Sequence, residues 1–141
     1  MKSHETRCGC QCCHLHPYQK ITTFDVFLLN SVLKKLEFIA PEFLWIEVEK
    51  NGEELLKETE LTEDEFKEVM EFLIEEITIV PSSQFLELLP EAKRLLSTHS
   101  KDVPYLALAL KFNCSIFSGD KALKRLSPVK VLSPREVLKL L

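Results

Sequence analysis

One stretch, Asp102-Val-Pro-Tyr-Leu-Ala-Leu-Ala-Leu110, constrains this chain more than any other. It predicts a helix that is apolar on nearly every face, and such a helix has to be buried. Asp102 stands at its opening. The next apolar run, Ile116-Phe-Ser-Gly-Asp120, reads as a strand closed by a second acid. In an open α/β sheet, sites gather at the carboxyl ends of strands. Acidic side chains held there are candidates for binding a hard divalent cation.

With 141 residues the chain fits one domain and has enough bulk to bury a core. A composition of 45% hydrophobic and 28% charged residues is that of an ordinary globular protein. No apolar run approaches the ~18–20 residues needed to span a bilayer. The N-terminal stretch lacks the apolar centre of a secretory signal, so a cytoplasmic location is expected. A net charge of −4 repels nucleic acid overall, which leaves RNA binding to a local basic patch. Lys121, Lys124, Arg125, Lys130 and Arg135 offer one just after Asp120, although a solvated helix face is the plainer reading.

Cysteine usage is lopsided. Cys8, Cys10, Cys12 and Cys13 crowd together beside His14 and His16, and only Cys114 lies elsewhere. A disulfide framework needs spaced cysteines in an oxidising compartment, and neither condition is met. Zinc is conceivable, but no second Cys/His pair follows Cys10-x-x-Cys13 at zinc-finger distance.

Hydrophobic spacing predicts a helix over 24–36 with Phe24, Phe27, Leu28, Val32 and Leu36 on its apolar face. A strand over 37–40 follows, then a helix from Pro41 to about Lys50, with Gly52 separating a further helix over 53–58. Thr62 and Glu65 form a capping box for a helix whose apolar face is Phe66, Val69, Met70, Leu73 and Ile74. A strand over 77–80 precedes a helix over 83–96, jogged at Pro90. After the buried helix come a strand over 115–118, a short helix over 121–126 and a last strand over 129–132. Ser133-Pro-Arg-Glu136 is a second capping box, opening the terminal helix. Strands alternating with helices imply a parallel sheet covered on both sides.

Glu47 joins Asp102 and Asp120 as a third candidate acid. It lies on the stripe of Phe43 and Leu44, whereas Glu42 and Glu49 point elsewhere. A carboxylate on an inward stripe costs energy unless something pairs with it. Each acid also has a plainer reading: Asp102 and Asp120 as helix N-caps, Glu47 as the edge of an amphipathic helix.

From about Phe24 onward the chain resembles a PIN-domain protein of the toxin-like ribonuclease kind. The resemblance rests on Ala40-Pro-Glu-Phe-Leu-Trp-Ile-Glu47, Asp102-Val-Pro-Tyr-Leu-Ala-Leu108, Ser118-Gly-Asp120 and Val131-Leu-Ser-Pro-Arg-Glu136. It implies a three-layer α/β/α fold with a parallel sheet and hydrolysis of RNA with Mg²⁺ or Mn²⁺. It further implies that Glu47, Asp102 and Asp120 hold the metal, that Ser118 supports them, and that Lys121, Lys124 and Arg125 grip phosphates. A homodimer and an antitoxin partner are implied in the same way.

The family's first strand ends in Asp-x-Asn, and residues 1–23 contain no such run. A one-base shift turns Cys codons into Val or Ala codons and His codons mainly into Ile or Thr codons. Starting at His4, synonymous choices then allow Met-Lys-Leu-Val-Val-Asp-Ala-Asn, with the Asp across the codons of Gly9 and Cys10. A run of A at Gln19-Lys20 allows return to frame. Residues 1–20 are therefore read as an aberrant segment, an out-of-frame first strand, and 21–141 as the PIN-like domain. In the chain as written, loss of that Asp is expected to weaken metal binding. The competing reading is a catalytically impaired PIN-like module that binds RNA or protein.

Overall fold

The computed structural model describes residues 17–141. The Cys/His cluster and most of the stretch read as an out-of-frame strand lie outside the described residues. In order, the elements are α1 (Pro17–Leu33), β1 (Phe38–Pro41), α2 (Phe43–Lys50), α3 (Gly52–Thr59), α4 (Glu63–Glu76) and β2 (Ile77–Val80). Then come α5 (Leu89–Leu95), α6 (Val103–Phe112), β3 (Ile116–Phe117), α7 (Lys121–Leu126), β4 (Val131–Leu132) and α8 (Pro134–Leu138).

Both strand pairings are parallel, as expected for strands joined through helices. Phe38 stands opposite Ile77 and Pro41 opposite Val80 in β1–β2; Ile116 stands opposite Val131 in β3–β4. Among the described residues the strands form two separate pairs rather than one continuous sheet.

Side-chain alternation along the strands sets up three layers. Ile39, Val80, Ile116 and Val131 pack into one core cluster with Ala92 and Leu96 of α5 and Leu106, Ala107 and Leu108 of α6. Phe38, Ala40, Ile77 and Phe117 pack into the other, with Val26 and Phe27 of α1, Leu44 of α2, Leu73 of α4 and Val137 of α8. Phe27, Phe38 and Phe117 bring their rings together at centroid separations of 4.6, 5.7 and 5.8 Å, which ties the two strand pairs through one aromatic cluster. The buried helix of the sequence is α6, whose Tyr105, Leu106, Ala107, Leu108 and Ala109 are fully buried.

Local capping signals are reproduced. Thr62 and Glu65 bond reciprocally at the start of α4, as do Ser133 and Glu136 at the start of α8. Several boundaries and faces differ from the sequence reading. α1 begins earlier, at Pro17, a residue suited to a first helical position. Its buried face is Val26, Phe27 and Asn30, while Leu28 and Val32 are exposed. Asn30 explains the choice: its Nδ2 donates to the Leu36 carbonyl and its Oδ1 accepts from Lys35 and Leu36, so it closes the turn into β1. Pro41 ends β1 instead of opening α2. The stretch expected as one jogged helix is broken into 3-10 turns over 82–84 and 86–88 and then α5, because Pro90 fits only a first turn. Ile74 is exposed although it lies beside the buried stripe of α4. Among the described residues no helix is long and apolar enough to cross a membrane.

Candidate functional site

Asp102 ends the 3-10 turn that runs from Ser100 into α6. Its amide donates to the His99 carbonyl at 3.0 Å, and the side chain is buried. The residue occupies the N-cap position of α6, yet its side chain makes no cap hydrogen bond. The plain N-cap reading therefore does not account for this carboxylate.

Asp120 does cap its helix. Oδ1 accepts from Ala122 N at 2.8 Å and from Leu123 N at 3.1 Å, which satisfies two of the donors a helix start leaves unpaired. Its own amide donates to Ser118 Oγ at 3.0 Å. Ser118 is buried just past the end of β3, so its hydroxyl fixes the chain where Asp120 leaves the strand.

The two aspartates line one cleft of about 200 Å³, together with Thr98, His99, Ser100 and Lys101. That volume far exceeds the ~10–15 Å³ one water requires. His99 and Lys101 were not among the residues singled out by sequence. Their place just upstream of Asp102 was the available signal, but nothing in their local pattern marks the turn that faces them toward Asp120.

Glu47 is half-buried on α2. Its Oε1 accepts a 2.6 Å hydrogen bond from Tyr105 Oη. Tyr105 is fully buried on α6, three positions after Asp102, hence on the same side of that helix. Glu42 and Glu49 are exposed, as their off-stripe positions suggested. Glu42 does have a role, accepting from both the amide and the hydroxyl of Ser82 at 3.0 and 3.1 Å, which joins the carboxyl ends of β1 and β2.

The structure thus brings Asp102 and Asp120 to one cleft and holds Glu47 against the neighbouring turn of α6. Among the described residues no three His, Cys, Asp or Glu side chains gather closely enough to form a metal-binding group. Two carboxylates still suit a hard divalent cation. Mg²⁺ is commonly held by one or two carboxylates, with waters and substrate phosphate completing its octahedron, and these donors are all oxygen.

Of the basic residues, Lys121 opens α7 beside Asp120 and is exposed. Arg125 is exposed in the last turn of that helix. Lys124 is differently placed: its ammonium pairs with Glu136, which also accepts from Ser133 N. The Lys124 hydrogen bond, assisted by the Ser133 amide, holds the Glu136 carboxyl down at about 2.

Over residues 24–137 the chain matches the PIN domain family. No curated protein and no solved structure gives a significant match. PIN domains are generally nucleases that act on RNA and use divalent metals. The match spans nearly all the described elements and both cleft aspartates, and this chain belongs to the PIN-domain family.

Proposed function

We propose that this chain is a divalent-metal-dependent endoribonuclease of the PIN type, with its domain at 21–141. The observation that carries the reading is the shared cleft of Asp102 and Asp120, one of which is a buried carboxylate not used as a helix cap. Asp102 and Asp120 would hold Mg²⁺ or Mn²⁺, with Glu47 as the third acid. When bound, such an ion lowers the pKa of a coordinated water and offsets charge developing on the phosphate. Ser118 keeps Asp120 at the mouth of the cleft by accepting its amide proton. Lys121 and Arg125, with Lys101, are suited to meeting the RNA backbone, whereas Lys124 is occupied by Glu136.

A toxin role in a toxin–antitoxin pair, a homodimeric state and a cytoplasmic location complete the proposal. The toxin role and the homodimer are supported by the family resemblance. The second reading is a catalytically impaired PIN module that binds RNA or protein. It is favoured by the lack of a three-acid group among the described residues.

Cleavage of a generic single-stranded RNA, followed with Mn²⁺ and with EDTA, separates the two. The nuclease reading expects Mn²⁺-dependent internal cuts by the wild-type chain and none by Asp102→Asn. RNA retention without cleavage under every metal condition supports the binding module.

A further inference from the structure

The cleft of Asp102 and Asp120 has a volume of about 200 Å³. Pockets that enclose a whole small-molecule ligand span ~300–1,000 Å³, so a complete nucleotide does not fit inside this one. At ~30 Å³ for each water, the space suits a phosphate group and a few waters rather than sugar and base together. Its walls are polar, with Thr98, Ser100 and Lys101 standing beside the two acids. An RNA strand seated by its phosphate therefore leaves the base at the rim.

Among the described residues that line the cleft, His99 alone carries a ring. It is half-buried, held by its surroundings yet still reachable. Both of its backbone groups are engaged. The amide donates to the Leu96 carbonyl at 2.9 Å, and the carbonyl accepts from Asp102 N at 3.0 Å. The second bond fixes His99 one 3-10 turn before Asp102. Nδ1 lies 3.1 Å from Thr98 Oγ1, a hydrogen bond that limits rotation of the ring. A ring held in this way is a preformed stacking surface, because much of its ordering cost is met before RNA arrives.

We infer that His99 is the residue on which this chain stacks the base beside the scissile phosphate, while the cleft takes the phosphate itself. This rests on the proposed RNA-cleaving function. Sequence-tolerant binding of single strands combines backbone contacts with bases laid on aromatic side chains, and histidine serves in this way. Every base has a π face, so the contact selects an unpaired base rather than a given letter. The substrate class is RNA with an unstacked nucleotide at the cut, as in a loop, a bulge or a free end. Stacking uses the face of the ring and needs no change in its protonation.

The test is a cleavage map with Mn²⁺ on short, end-labelled single-stranded RNAs that carry one abasic ribose at successive positions. For the wild-type chain, cuts at a linkage flanking the abasic ribose are expected to fall about tenfold, while cuts elsewhere persist. His99→Leu should cut weakly at every linkage and show no local dip, because the stacking partner is already gone. His99→Phe keeps a ring without its nitrogens and should restore both the cutting and the dip. In His99→Leu the KM for RNA should rise with kcat little changed, as for a contact made equally in ground and transition states. Thermal unfolding checks that each variant is folded, and the abasic series on the wild-type chain needs no variant at all.

A wild-type cleavage map indifferent to the abasic ribose at every position overturns the inference. A folded His99→Phe chain as defective as His99→Leu also overturns it, and makes the ring nitrogens the acting atoms. Both results leave the nuclease reading intact, since cutting itself is observed. A wild-type chain that binds RNA but cuts none with Mn²⁺ overturns the nuclease reading instead. Affinity measured in Ca²⁺ then decides the stacking by itself: weaker binding of abasic RNA upholds it, and equal binding of intact and abasic RNA overturns it.

Discussion

Asp102 and Asp120 line the same cleft, yet they stand differently toward the helices they precede. Asp120 Oδ1 accepts two amide protons of α7, while the Asp102 carboxylate makes no cap bond to α6. A single motif of acid before helix thus covers two physical situations. In one the carboxylate stabilises the fold as well as facing the site; in the other its burial is not explained by capping.

The two positions should therefore separate on substitution. Asp120→Ala is expected to lower stability by about 1 kcal/mol, the usual loss for an N-cap, whereas Asp120→Asn keeps a competent cap and stays near wild type. Asp102→Asn should leave the α6 start intact. Both Asn variants are expected to lose metal-dependent cleavage. Urea denaturation for stability and Mn²⁺-supported RNA cleavage for function check the two halves.

Glu47→Ala removes a carboxylate that accepts from a buried hydroxyl. Leaving such a donor short of its partner costs about 1–3 kcal/mol, and Tyr105→Phe in the same background should recover part of that loss. Equilibrium unfolding of the two single variants and the double variant measures this coupling. Equal destabilisation of Glu47→Ala with and without the hydroxyl would show that the bond adds nothing.

Glu136 gives a pH signature. Its carboxyl is depressed from the usual 4.5 to about 2 in the folded chain, first by Lys124 and then by the Ser133 amide. A depressed acid stabilises the fold above its unfolded value. That contribution is complete above about pH 4.5 and is lost as pH falls through 2. The pair is substantially exposed, so the effect of Lys124 is expected to be ~1 kcal/mol or less. Melting temperatures from pH 7 down to pH 2 should fall less steeply in Lys124→Met than in wild type. Parallel curves would contradict the assignment.

Phosphate contact should follow placement rather than charge alone. Lys101 lines the cleft and Lys121 lies beside Asp120, while Lys124 is engaged by Glu136. Lys101→Ala is expected to reduce the slope of log K against log salt for single-stranded RNA by ~0.7, the value for one phosphate contact. Lys124→Ala should change it less. Fluorescence anisotropy at several salt concentrations, with Ca²⁺ in place of Mn²⁺, provides the measurement.

The aromatic cluster that joins the strand pairs should be costly to open. Phe27 is buried and touches both Phe38 and Phe117, so Phe27→Ala is expected to cost about 3–5 kcal/mol. Chemical denaturation checks it, and a loss below 1 kcal/mol would mean that α1 does not anchor the two strand pairs.

By itself, the sequence determined those features whose physical cause lies within a few residues. The two capping boxes, the burial of α6, the parallel alternation of strand and helix, and the acids at Asp102 and Asp120 all carry local signatures. Only the tertiary structure decided which face of α1 is buried, because apolar residues surround that helix and the choice rests on Asn30 closing the turn to Leu36. Tertiary structure likewise set Tyr105 against Glu47, Lys124 against Glu136, and His99 and Lys101 into the cleft. Such partners meet across separate elements, where neither helical period nor cap spacing records which side chain will stand opposite. Periodicity reports that a face is apolar, whereas the packing of all the elements together selects what it touches.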